Sequence, residues 1–483
     1  MAPRTLQYVA DACRGTLTPG SPPGLVVARV CTDSRRVAAG DLFVALSGER
    51  FDAHQFLEQV AQAGAAATVA ESNRLPADWR ALPVVAVANT RTALGALAAR
   101  YRRDFSLPVI AVAGSNGKTT TKELLAAVLR EKFPTLASEA SFNNDIGVPL
   151  TLLRLDASHG AAVLEVGTNH PGELAPLVRM IQPRFGVIPS IGREHLEFFG
   201  DVAGVVQEEG WLAELLPADG CLFINGDNPH IAPIIARTAA RVVKVGLDAG
   251  NDWRATDVRC DEHGMTFAVT APRAEFSGGY QLRLHGRHQV VNALLALAVG
   301  AELGLMRGQL QAGLAGCTPP GMWLQLWETG GVRVLDDSYN ANADSMLAAL
   351  QTLQDFPCAG RTFAVLGDMA ELGNHTANAH AEVGERAATA GLEMLRAVGR
   401  MAGVTAQAAT HAGLTGVREF ADAESAGHAL RELVRPGDVV LLKASRSSRI
   451  ERVGEILRGA GTTSGAVATG VAEQPRAGEG QRS

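Results

Sequence analysis

Long apolar runs are missing from this chain of 483 residues. No stretch of 18 or more apolar residues occurs, so we expect no membrane-spanning helix and no membrane insertion. The first residues, Met-Ala-Pro-Arg-Thr, lack the apolar centre of a signal peptide. The sequence therefore predicts a soluble protein of the cytoplasm.

Closely spaced cysteines are also missing. The chain has no Cys-x-x-Cys pair, and its six cysteines stand far apart, at Cys13, Cys31, Cys221, Cys260, Cys317 and Cys358. Such spacing suits neither a zinc site nor a disulfide framework. We expect reduced and mostly buried thiols, as in a cytosolic protein.

An excess of positive charge is the third feature that the chain lacks. Its net charge is −6, and no basic stripe is present to neutralise a phosphate backbone, so nucleic acid is not the expected partner. Hydrophobic residues make up 47% of the chain, enough for real cores, and 52 glycines indicate many loops. At about 100–200 residues per domain, the length corresponds to roughly three domains.

Alternating apolar runs and helical patterns predict an α/β protein of three domains. The first domain, 1–87, is expected to be an N-terminal α/β substrate domain. The second, 105–318, is expected to be a P-loop ATPase-like domain with a mostly parallel sheet. The third, 319–460, is expected to be Rossmann-like, and the tail 461–483, rich in Gly, Thr, Ser, Gln and Glu, is expected to be disordered.

The most informative stretch is Gly-Ser-Asn-Gly-Lys-Thr-Thr at 114–120. An apolar run at 108–113 precedes it, and apolar residues at helical spacing follow it, so strand, glycine turn and helix start form a phosphate cradle. Lys118 would reach the outer phosphates, and the hydroxyl of Thr119 suits a magnesium ligand. The predicted nucleotide contacts are Gly114, Ser115, Asn116, Gly117, Lys118, Thr119 and Thr120. The alternative is an ordinary glycine turn before Lys-Thr.

Polar residues at two later strand ends could complete this site. Glu165 ends an apolar strand, where a carboxylate is costly to bury unless it meets a cation, so it is a candidate metal ligand. His195 follows the next strand and could reach the same edge, although a lone histidine is more often structural. Asn143 and Asn144 place two amides beside a loop, where the alternative is an Asx turn and helix cap.

The third segment carries three further polar clusters. Strands are predicted at 332–336, 361–366, 394–398 and 438–443. Polar residues follow three of these strands, at Asp336 and Asp337, at Gly367 and Asp368, and at Lys443, Ser445 and Arg446. Ligands of open α/β sheets bind outside the carboxyl ends of strands, so the clusters are expected to share one edge and face a ligand. Ordinary turn polarity is the alternative for each cluster alone.

Together these motifs resemble the Mur ligase family, most closely its MurF type, from about residue 25 to about residue 460. The shared motifs lie at 32–46, 114–123, 143–153, 164–173, 336–342, 366–373 and 442–446. The phosphate loop marks only the wider family, which includes folylpolyglutamate synthetases. Asp-Asp-Ser-Tyr-Asn-Ala-Asn (336–342) and Leu-Gly-Asp-Met-Ala-Glu-Leu-Gly (366–373) point to the MurF type, and the Asp-Asn-Pro-Arg signature of its sister enzyme is missing from the third segment.

The resemblance implies an ATP-dependent amide ligase of peptidoglycan precursor synthesis. Such an enzyme joins D-alanyl-D-alanine to UDP-N-acetylmuramoyl tripeptide through an acyl phosphate, with ATP and two Mg²⁺, and is expected to be a monomer. By resemblance, Lys118, Glu165 and His195 are catalytic, Asn292 meets adenine and Asp337 meets ribose. The implied substrate contacts are Ser34, Arg35, Asn143, Asn144, Asn340, Asn342, Lys443 and Arg446.

The chain departs from the family pattern at several positions. Many relatives carry a carbamylated lysine after the His-Leu-Glu motif to help hold the second magnesium, but 205–211 reads Val-Val-Gln-Glu-Glu-Gly-Trp. Glu208 or Glu209 would supply a carboxylate instead; the alternative is that both are solvated helix residues. Met322 stands where an arginine usually follows Pro-Gly, so one phosphate contact is lost or supplied elsewhere.

Two rival functions stay open at this point. One is another ATP-dependent amino-acid ligase, of Mur or folylpolyglutamate type, which the third-segment motifs disfavour. The other is a nucleotide-binding regulator without ligase activity, supported only by the missing lysine and arginine. The sequence leaves open whether the third peptide residue is diaminopimelate or lysine.

Overall fold

The computed structural model of the protein describes residues 1–48, 51–76, 78–318 and 321–459. The tail 461–483, predicted to be disordered, lies outside the described residues. Within the described ranges, no helix combines the length and the apolar character needed to cross a membrane. The six cysteines are free thiols, and four of them are buried, as predicted.

The first part of the chain forms a five-stranded sheet and a small antiparallel ladder. Its strands are β1 (Arg4–Thr5), β2 (Thr16–Leu17), β3 (Val26–Val27), β4 (Arg29–Cys31), β5 (Asp41–Val44), β6 (Ala67–Glu71) and β7 (Val84–Val87). Its helices are α1 (Leu6–Cys13), α2 (Leu57–Gln62) and α3 (Thr90–Arg102). The sheet order is β2-β7-β6-β5-β4, in which only β2 is antiparallel, while β1 pairs with β3.

The middle part forms a nine-stranded sheet. Its strands are β8 (Val109–Val112), β9 (Thr135–Ala137), β10 (Ala161–Glu165), β11 (Phe185–Ile188), β12 (Cys221–Asn225), β13 (Arg241–Gly246), β14 (Trp253–Asp261), β15 (Gly264–Thr270) and β16 (Gly278–Leu282). Its helices are α4 (Lys118–Arg130), α5 (Gly147–Leu152), α6 (Leu174–Ile181), α7 (Leu196–Phe199), α8 (Val202–Glu214), α9 (Ala232–Ile235), α10 (Arg287–Glu302) and α11 (Arg307–Gly316). The order is β16-β15-β14-β13-β12-β11-β8-β10-β9, and only the pairs within β14 to β16 are antiparallel.

The position of β8 decides which residues meet at the site. It lies between β10 and β11, and Val112 near its end is in register with both Glu165 and Val187. All three strands are parallel, so the loops at their carboxyl ends emerge side by side. On α4, Leu124, Leu125, Val128 and Leu129 are fully buried, which holds the helix that follows the phosphate loop against the sheet.

The third part forms a six-stranded sheet. Its strands are β17 (Gln325–Thr329), β18 (Val332–Asp337), β19 (Thr362–Leu366), β20 (Met394–Val398), β21 (Val417–Phe420) and β22 (Val439–Lys443). Its helices are α12 (Ala343–Asp355), α13 (Thr376–Thr389), α14 (Ala402–His411), α15 (Ala423–Leu433) and α16 (Glu451–Arg458). In the order β17-β18-β22-β19-β20-β21, strand β22 lies between β18 and β19, and all pairs except β17 with β18 are parallel.

The predicted α/β class with mostly parallel sheets is confirmed, and the four strands predicted in the third segment agree with the structure to within one residue. In the first part, the apolar run 25–30 predicts one continuous strand, and this prediction is wrong in detail, because β3 pairs with β1 whereas β4 pairs with β5. Apolar character marks the run but does not tell which neighbour receives its hydrogen bonds. Strand β13 was not predicted, since Arg241 and Lys244 interrupt its apolar pattern.

Candidate active site

The phosphate loop joins β8 to α4 through two glycines with positive φ. Gly114 has φ 108° and Gly117 has φ 84°, a region that side chains other than glycine rarely adopt. A Cβ added at Gly114 would lie 2.6 Å from the carbonyl oxygen of Ser190, and one added at Gly117 would lie 2.9 Å from Oδ1 of Asn292. Both glycines are therefore required by backbone conformation and by close packing.

The first half of the loop is fastened to its neighbours. The amide of Gly114 donates to Glu209 Oε2 at 2.6 Å, that of Ser115 to the carbonyl of Ser190 at 2.8 Å, and that of Asn116 to Ser190 Oγ at 2.9 Å. The backbone amides of these three predicted nucleotide-binding residues are thus already hydrogen-bonded within the protein. Ser190 was not singled out from the sequence, because a serine after a strand carries no signal of its own.

The second half of the loop is open. The amides of Gly117, Lys118, Thr119 and Thr120 have no hydrogen-bond acceptor among the described residues, as expected for the first turn of a helix. Unpaired amides and the positive end of the helix dipole form a site for an anion. The second half of the loop thus has the free donors that the predicted phosphate cradle requires.

Lys118 is folded back onto its own loop. Its ammonium group donates to the carbonyl of Gly114, to that of Ser115 at 3.2 Å, and to Glu194 Oε2 at 3.3 Å. Burial acts to lower the pKa of Lys118, but the carboxylates of Glu194, Glu209 and Glu165 outweigh it and raise that pKa. The lysine is thus a fixed positive charge at the mouth of the cradle.

Three buried carboxylates surround this charge. Glu165, Glu194 and Glu209 are at most 4% exposed, and each has one oxygen without a hydrogen-bond donor among the described residues. Burial, together with the charge of Glu194, raises the pKa of Glu209 to about 8. Three acidic groups facing one lysine leave unpaired oxygen ligands, which is the chemistry that a magnesium ion requires.

The predicted metal ligands are not gathered in one place. Among the described residues, no group of three or more His, Cys, Asp or Glu side chains is arranged to hold a metal ion. Nδ1 of His195 lies 2.5 Å from Glu371 Oε2, on the loop after β19. Magnesium commonly uses only one or two protein carboxylates and completes its shell with phosphates and water, so the donor set near Lys118 fits the ion.

Glu208 and Glu209 point in different directions. Both are buried, so the alternative that they are solvated surface residues is wrong. Glu208 accepts hydrogen bonds from the amides of Gly172 at 2.9 Å and Leu174 at 2.8 Å, which places it at the first turn of α6. Only Glu209 approaches the phosphate loop.

The two asparagines before α5 also differ in their contacts. Nδ2 of Asn143 donates to Glu165 Oε1 at 2.9 Å and so positions that carboxylate. Oδ1 of Asn144 accepts from the amides of Ile146 at 3.1 Å and Gly147 at 2.9 Å, the Asx turn that was the alternative. Asn292 packs on Gly117 and donates to Gln289 Oε1 at 2.8 Å, so α10 borders the phosphate loop.

The three polar clusters of the third sheet lie at the ends of neighbouring strands, as predicted. Lys443 is in register with both Asp337 and Leu366. Its ammonium group donates to Asp337 Oδ2 at 2.5 Å and to the carbonyl of Asn340 at 3.1 Å. Lys443 therefore links the end of β22 to Asp337 and to the loop that carries Asn340. Arg446 lies nearby, 3.2 Å from Glu451 Oε1 and 3.7 Å from the sulfur of Met322.

Hydrogen bonds between the middle part of the chain and the third part place the phosphate loop next to the polar residues at the edge of the third sheet. Asn116 and Asn342 exchange amide hydrogen bonds of 2.9 and 3.3 Å, and Ser141 Oγ lies 2.9 Å from Tyr339 Oη. Arg193 donates to both Asp344 and Glu382, which raise its pKa. Arg193 was missed from the sequence because its acidic partners lie more than 150 residues away.

Ser34 and Arg35 lie in the first sheet's loops, apart from these contacts. Ser34 begins a short 3-10 turn, Ser34–Arg36, and is buried. Arg35 is exposed and pairs with Asp33 at 2.8 Å. Among the described residues, no hydrogen bond joins either side chain to the phosphate loop.

Comparison with known proteins identifies three consecutive family matches. The profile of the Mur ligase family, catalytic domain, matches residues 26–102; that of the Mur ligase middle domain matches 112–300; and that of the Mur ligase, glutamate ligase domain, matches 324–446. Together they cover most strands of the three sheets.

Curated relatives agree over nearly the full length. The UDP-N-acetylmuramoyl-tripeptide--D-alanyl-D-alanine ligase of Escherichia coli is 38% identical over 464 residues, covering 95% of this chain and 99% of the relative. The enzyme of the same name from Bacillus subtilis is 33% identical over 94% of this chain and 98% of the relative.

Solved structures give the same picture. MurF from Acinetobacter baumannii superposes with a TM-score of 0.86 at 32% identity, covering 94% of this chain and 99% of that one. MurF ligase from Thermotoga maritima in complex with ADP has a TM-score of 0.79 at 29% identity, covering 89% and 97%. Folylpolyglutamate synthase from Mycobacterium tuberculosis, at 19% identity and a TM-score of 0.61 over 76% of this chain and 94% of that one, shares the fold alone.

Proposed function

This chain belongs to the Mur ligase family, and from that premise we propose that it joins D-alanyl-D-alanine to UDP-N-acetylmuramoyl tripeptide with hydrolysis of ATP to ADP and phosphate. Relatives that carry this activity in their names cover 94–95% of the chain at 33–38% identity. The observation that carries the proposal is the hydrogen-bonded contact of Asn116 with Asn342, which sets the phosphate cradle directly against the third sheet's polar edge. The product is a precursor of peptidoglycan.

ATP is the nucleotide of the proposed reaction. The T. maritima relative was solved with ADP, and the open amides from Gly117 to Thr120 suit its phosphates. Asn292, packed on Gly117, is assigned to the adenine side of the site. Asp337, held by Lys443, is assigned to the ribose.

The proposal includes magnesium bound near Lys118, with two ions expected. When bound, the ions would offset the repulsion between the triphosphate and the substrate carboxylate. We assign Thr119, Glu165 and Glu209 to this magnesium site, and we leave Glu208 out because its two oxygens accept hydrogen bonds from amides at the start of α6. His195 would join them after its ring leaves Glu371.

The chemistry follows from charge. The tripeptide carboxylate oxygen attacks the γ-phosphorus, ADP leaves, and an acyl phosphate forms. The amine of D-alanyl-D-alanine then attacks the acyl carbon, loses a proton, and expels phosphate to leave the amide. Lys118 lies at the mouth of the cradle, where its charge stabilises the transferring phosphoryl group.

Water must be kept from the acyl phosphate until the amine attacks. The contacts of Arg193 with Asp344 and Glu382, and of Ser141 with Tyr339, cover the cradle with the third sheet. We assign Asn340, Asn342, Lys443 and Arg446 to the dipeptide and phosphate face. Ser34 and Arg35 are assigned to the UDP-sugar, and Asn143 and Asn144 to the tripeptide side.

Three further proposals concern the whole protein. Its domains are taken as 1–87, 105–318 and 319–460, with a monomeric state and a cytoplasmic location. The covering of the cradle by residues of the same chain supports the monomer, because no second copy is needed to complete the site.

The deciding experiment is competition for the amine site. Purified protein, ATP, magnesium and UDP-N-acetylmuramoyl tripeptide are mixed with equal concentrations of D-alanyl-D-alanine, D-alanine, meso-diaminopimelate, L-lysine and L-glutamate, and products are identified by mass. We expect the dipeptide product, because a site whose amides pair with a peptide group rejects a single residue strongly. Preferential use of a single amino acid would favour another amide ligase, and absence of phosphate release with every amine would favour a non-catalytic regulator.

A further inference from the structure

Glu194 is a buried acidic residue in direct contact with the phosphate-loop lysine. It is 4% exposed, its Oε2 lies 3.3 Å from Nζ of Lys118, and its Oε1 has no hydrogen-bond donor among the described residues. A carboxylate in such a place is costly unless a cation is close to it. The proposed mechanism leaves this residue without a role.

The backbone fixes Glu194 relative to the cradle. The amide of Gly192 donates to Ser115 Oγ at 2.8 Å, and the amide of Ser115 donates to the carbonyl of Ser190 at 2.8 Å. The amide of Glu194 itself donates to the carbonyl of Gly192 at 3.0 Å. The segment that carries Glu194 is therefore hydrogen-bonded to the loop that carries Lys118, and these bonds fix the two charged groups relative to each other.

This ion pair uses the lysine donor that a phosphate would need. An ammonium group has three hydrogens, and those of Lys118 are directed to the carbonyls of Gly114 and Ser115 and to Glu194. A phosphate that enters the cradle must compete with the carboxylate for this charge. Glu165 and Glu209 add two more acidic groups around the lysine.

We propose that Glu194 is a further positioning residue of the nucleotide site, which holds Lys118 while no phosphate is bound and makes nucleotide binding depend on a divalent cation. One oxygen of Glu194 has no hydrogen-bond donor among the described residues, and the negative charge of this carboxylate opposes a bare polyphosphate and favours one that carries magnesium. The inference rests on the proposed nucleotide site. It concerns a residue beyond the phosphate loop and beyond the expected metal ligands.

The test measures binding of ADP to the whole protein by titration calorimetry, once with excess magnesium and once with EDTA. The variants are Glu194→Gln, which keeps the shape and removes the charge, and Glu194→Asp, which keeps the charge. Glu131→Gln is the matched control, since Glu131 is an exposed carboxylate at the C-cap of α4, the helix that begins with Lys118. Thermal unfolding of each variant checks that it is folded.

We expect Glu194→Gln to bind ADP about tenfold more tightly than the parent protein in EDTA, equivalent to about 1.4 kcal/mol. The ratio of the two dissociation constants, EDTA over magnesium, should fall by about the same factor. Glu194→Asp and Glu131→Gln should keep the parent ratio. This linked change would not arise from a merely structural role, which would weaken binding under both conditions.

Two other results would overturn the inference, and they are distinguishable. If the parent protein binds ADP with magnesium but Glu194→Gln keeps the parent ratio, the role of Glu194 is wrong and the nucleotide site stands. If the parent protein binds no ADP even with magnesium, the proposed nucleotide site is wrong and the inference fails with it. If Glu194→Gln is unfolded, Glu194→Ala replaces it: a lower EDTA-to-magnesium ratio than in the parent would support the proposal, and a parent-like ratio in folded Glu194→Ala would contradict it.

Discussion

The side-chain amides of Asn116 and Asn342 exchange two hydrogen bonds, of 2.9 and 3.3 Å, although the residues are 226 positions apart. Asn116 belongs to the phosphate loop, and Asn342 is the N-cap of α12, where its Oδ1 also accepts from the amide of Ser345 at 2.9 Å. One side chain thus caps a helix of the third sheet and contacts the phosphate loop. A movement of the third sheet would therefore be transmitted directly to the phosphate loop.

Replacing Lys118 by alanine should leave a folded protein with almost no ligation. The substitution removes the hydrogen bonds of the ammonium group to Gly114, Ser115 and Glu194, which costs some stability. It also removes a charge that acts on the transferring phosphoryl group. We expect kcat/KM to fall by about 10²–10³-fold or more. Phosphate release with all substrates measures the rate, and circular dichroism checks the fold. Turnover near that of the parent would contradict the assignment.

Replacing Glu209 by glutamine should raise the magnesium requirement. The amide oxygen of glutamine would still accept the hydrogen bond of Gly114, so the loop is kept while the carboxylate that magnesium would need is removed. We expect the magnesium concentration for half-maximal rate to rise about tenfold, which corresponds to about 1.4 kcal/mol. Added bicarbonate should not raise the rate of the parent, since 205–211 contains no lysine that could be carbamylated. An unchanged magnesium requirement would show that Glu209 serves only the loop.

Replacing the neighbouring Glu208 by glutamine should have a different effect. Both oxygens of Glu208 accept amide hydrogen bonds at the start of α6, and glutamine retains only one acceptor. The free energy of unfolding should fall by about 1–2 kcal/mol. Urea unfolding gives the stability, and rates at varied magnesium should show a parent-like requirement. A raised magnesium requirement would return Glu208 to the metal site.

Replacing Arg193 by methionine should weaken the cover over the cradle. Its guanidinium group forms ion pairs with Asp344 and Glu382, and the substitution would remove both ion pairs. The pairs are partly exposed, so we expect a loss of about 1 kcal/mol, seen as a roughly fivefold lower kcat. Small-angle scattering with ATP analogue and magnesium should show a larger radius of gyration. Arg431→Met, at an exposed position of α15, is the control; equal effects of the two variants would exclude a specific role of Arg193.

Replacing His288 by glutamine should reduce the loss of stability in mild acid. Burial, although opposed by Asp337, lowers the pKa of His288 to about 4, below its value of 6.5 in an unfolded chain. Between pH 6.5 and about pH 4, this histidine is therefore protonated in the unfolded chain but not in the folded protein. The free energy of unfolding falls as the pH is lowered through this range. The variant should recover about 2 kcal/mol of this loss between pH 7 and pH 5. Urea unfolding at both pH values, with exposed His263→Gln as control, tests this; the same pH dependence in parent and variant would contradict it.

Much of the site was predictable because its signals are local. The glycines, Lys118 and Thr119 stand within seven consecutive residues, and the strand before them and the helix after them follow from periodicity. The clusters at Asp337 and Lys443 were predicted to share an edge from one rule about parallel sheets, and the register confirms it. Glu165 was singled out because a carboxylate at the end of a buried strand needs a partner.

Other parts of the site depended on contacts that sequence spacing does not contain. Glu208 and Glu209 are adjacent in the chain, yet on α8 they face α6 and the phosphate loop respectively, and only helix packing decides between the two. Arg193 and Glu194 lacked any signal because their partners come from distant segments.

The sequence by itself determined the α/β class, the phosphate loop and the family. Each of these depends on short motifs and periodic patterns, in which the residues that matter are neighbours along the chain. Only the tertiary structure decided which carboxylates surround Lys118 and which residues cover it. Those choices depend on the placement of β8 between β10 and β11 and on the docking of the third sheet at Asn116. Burial and charge act between residues that are close in space, and the order of residues along the chain does not specify that closeness.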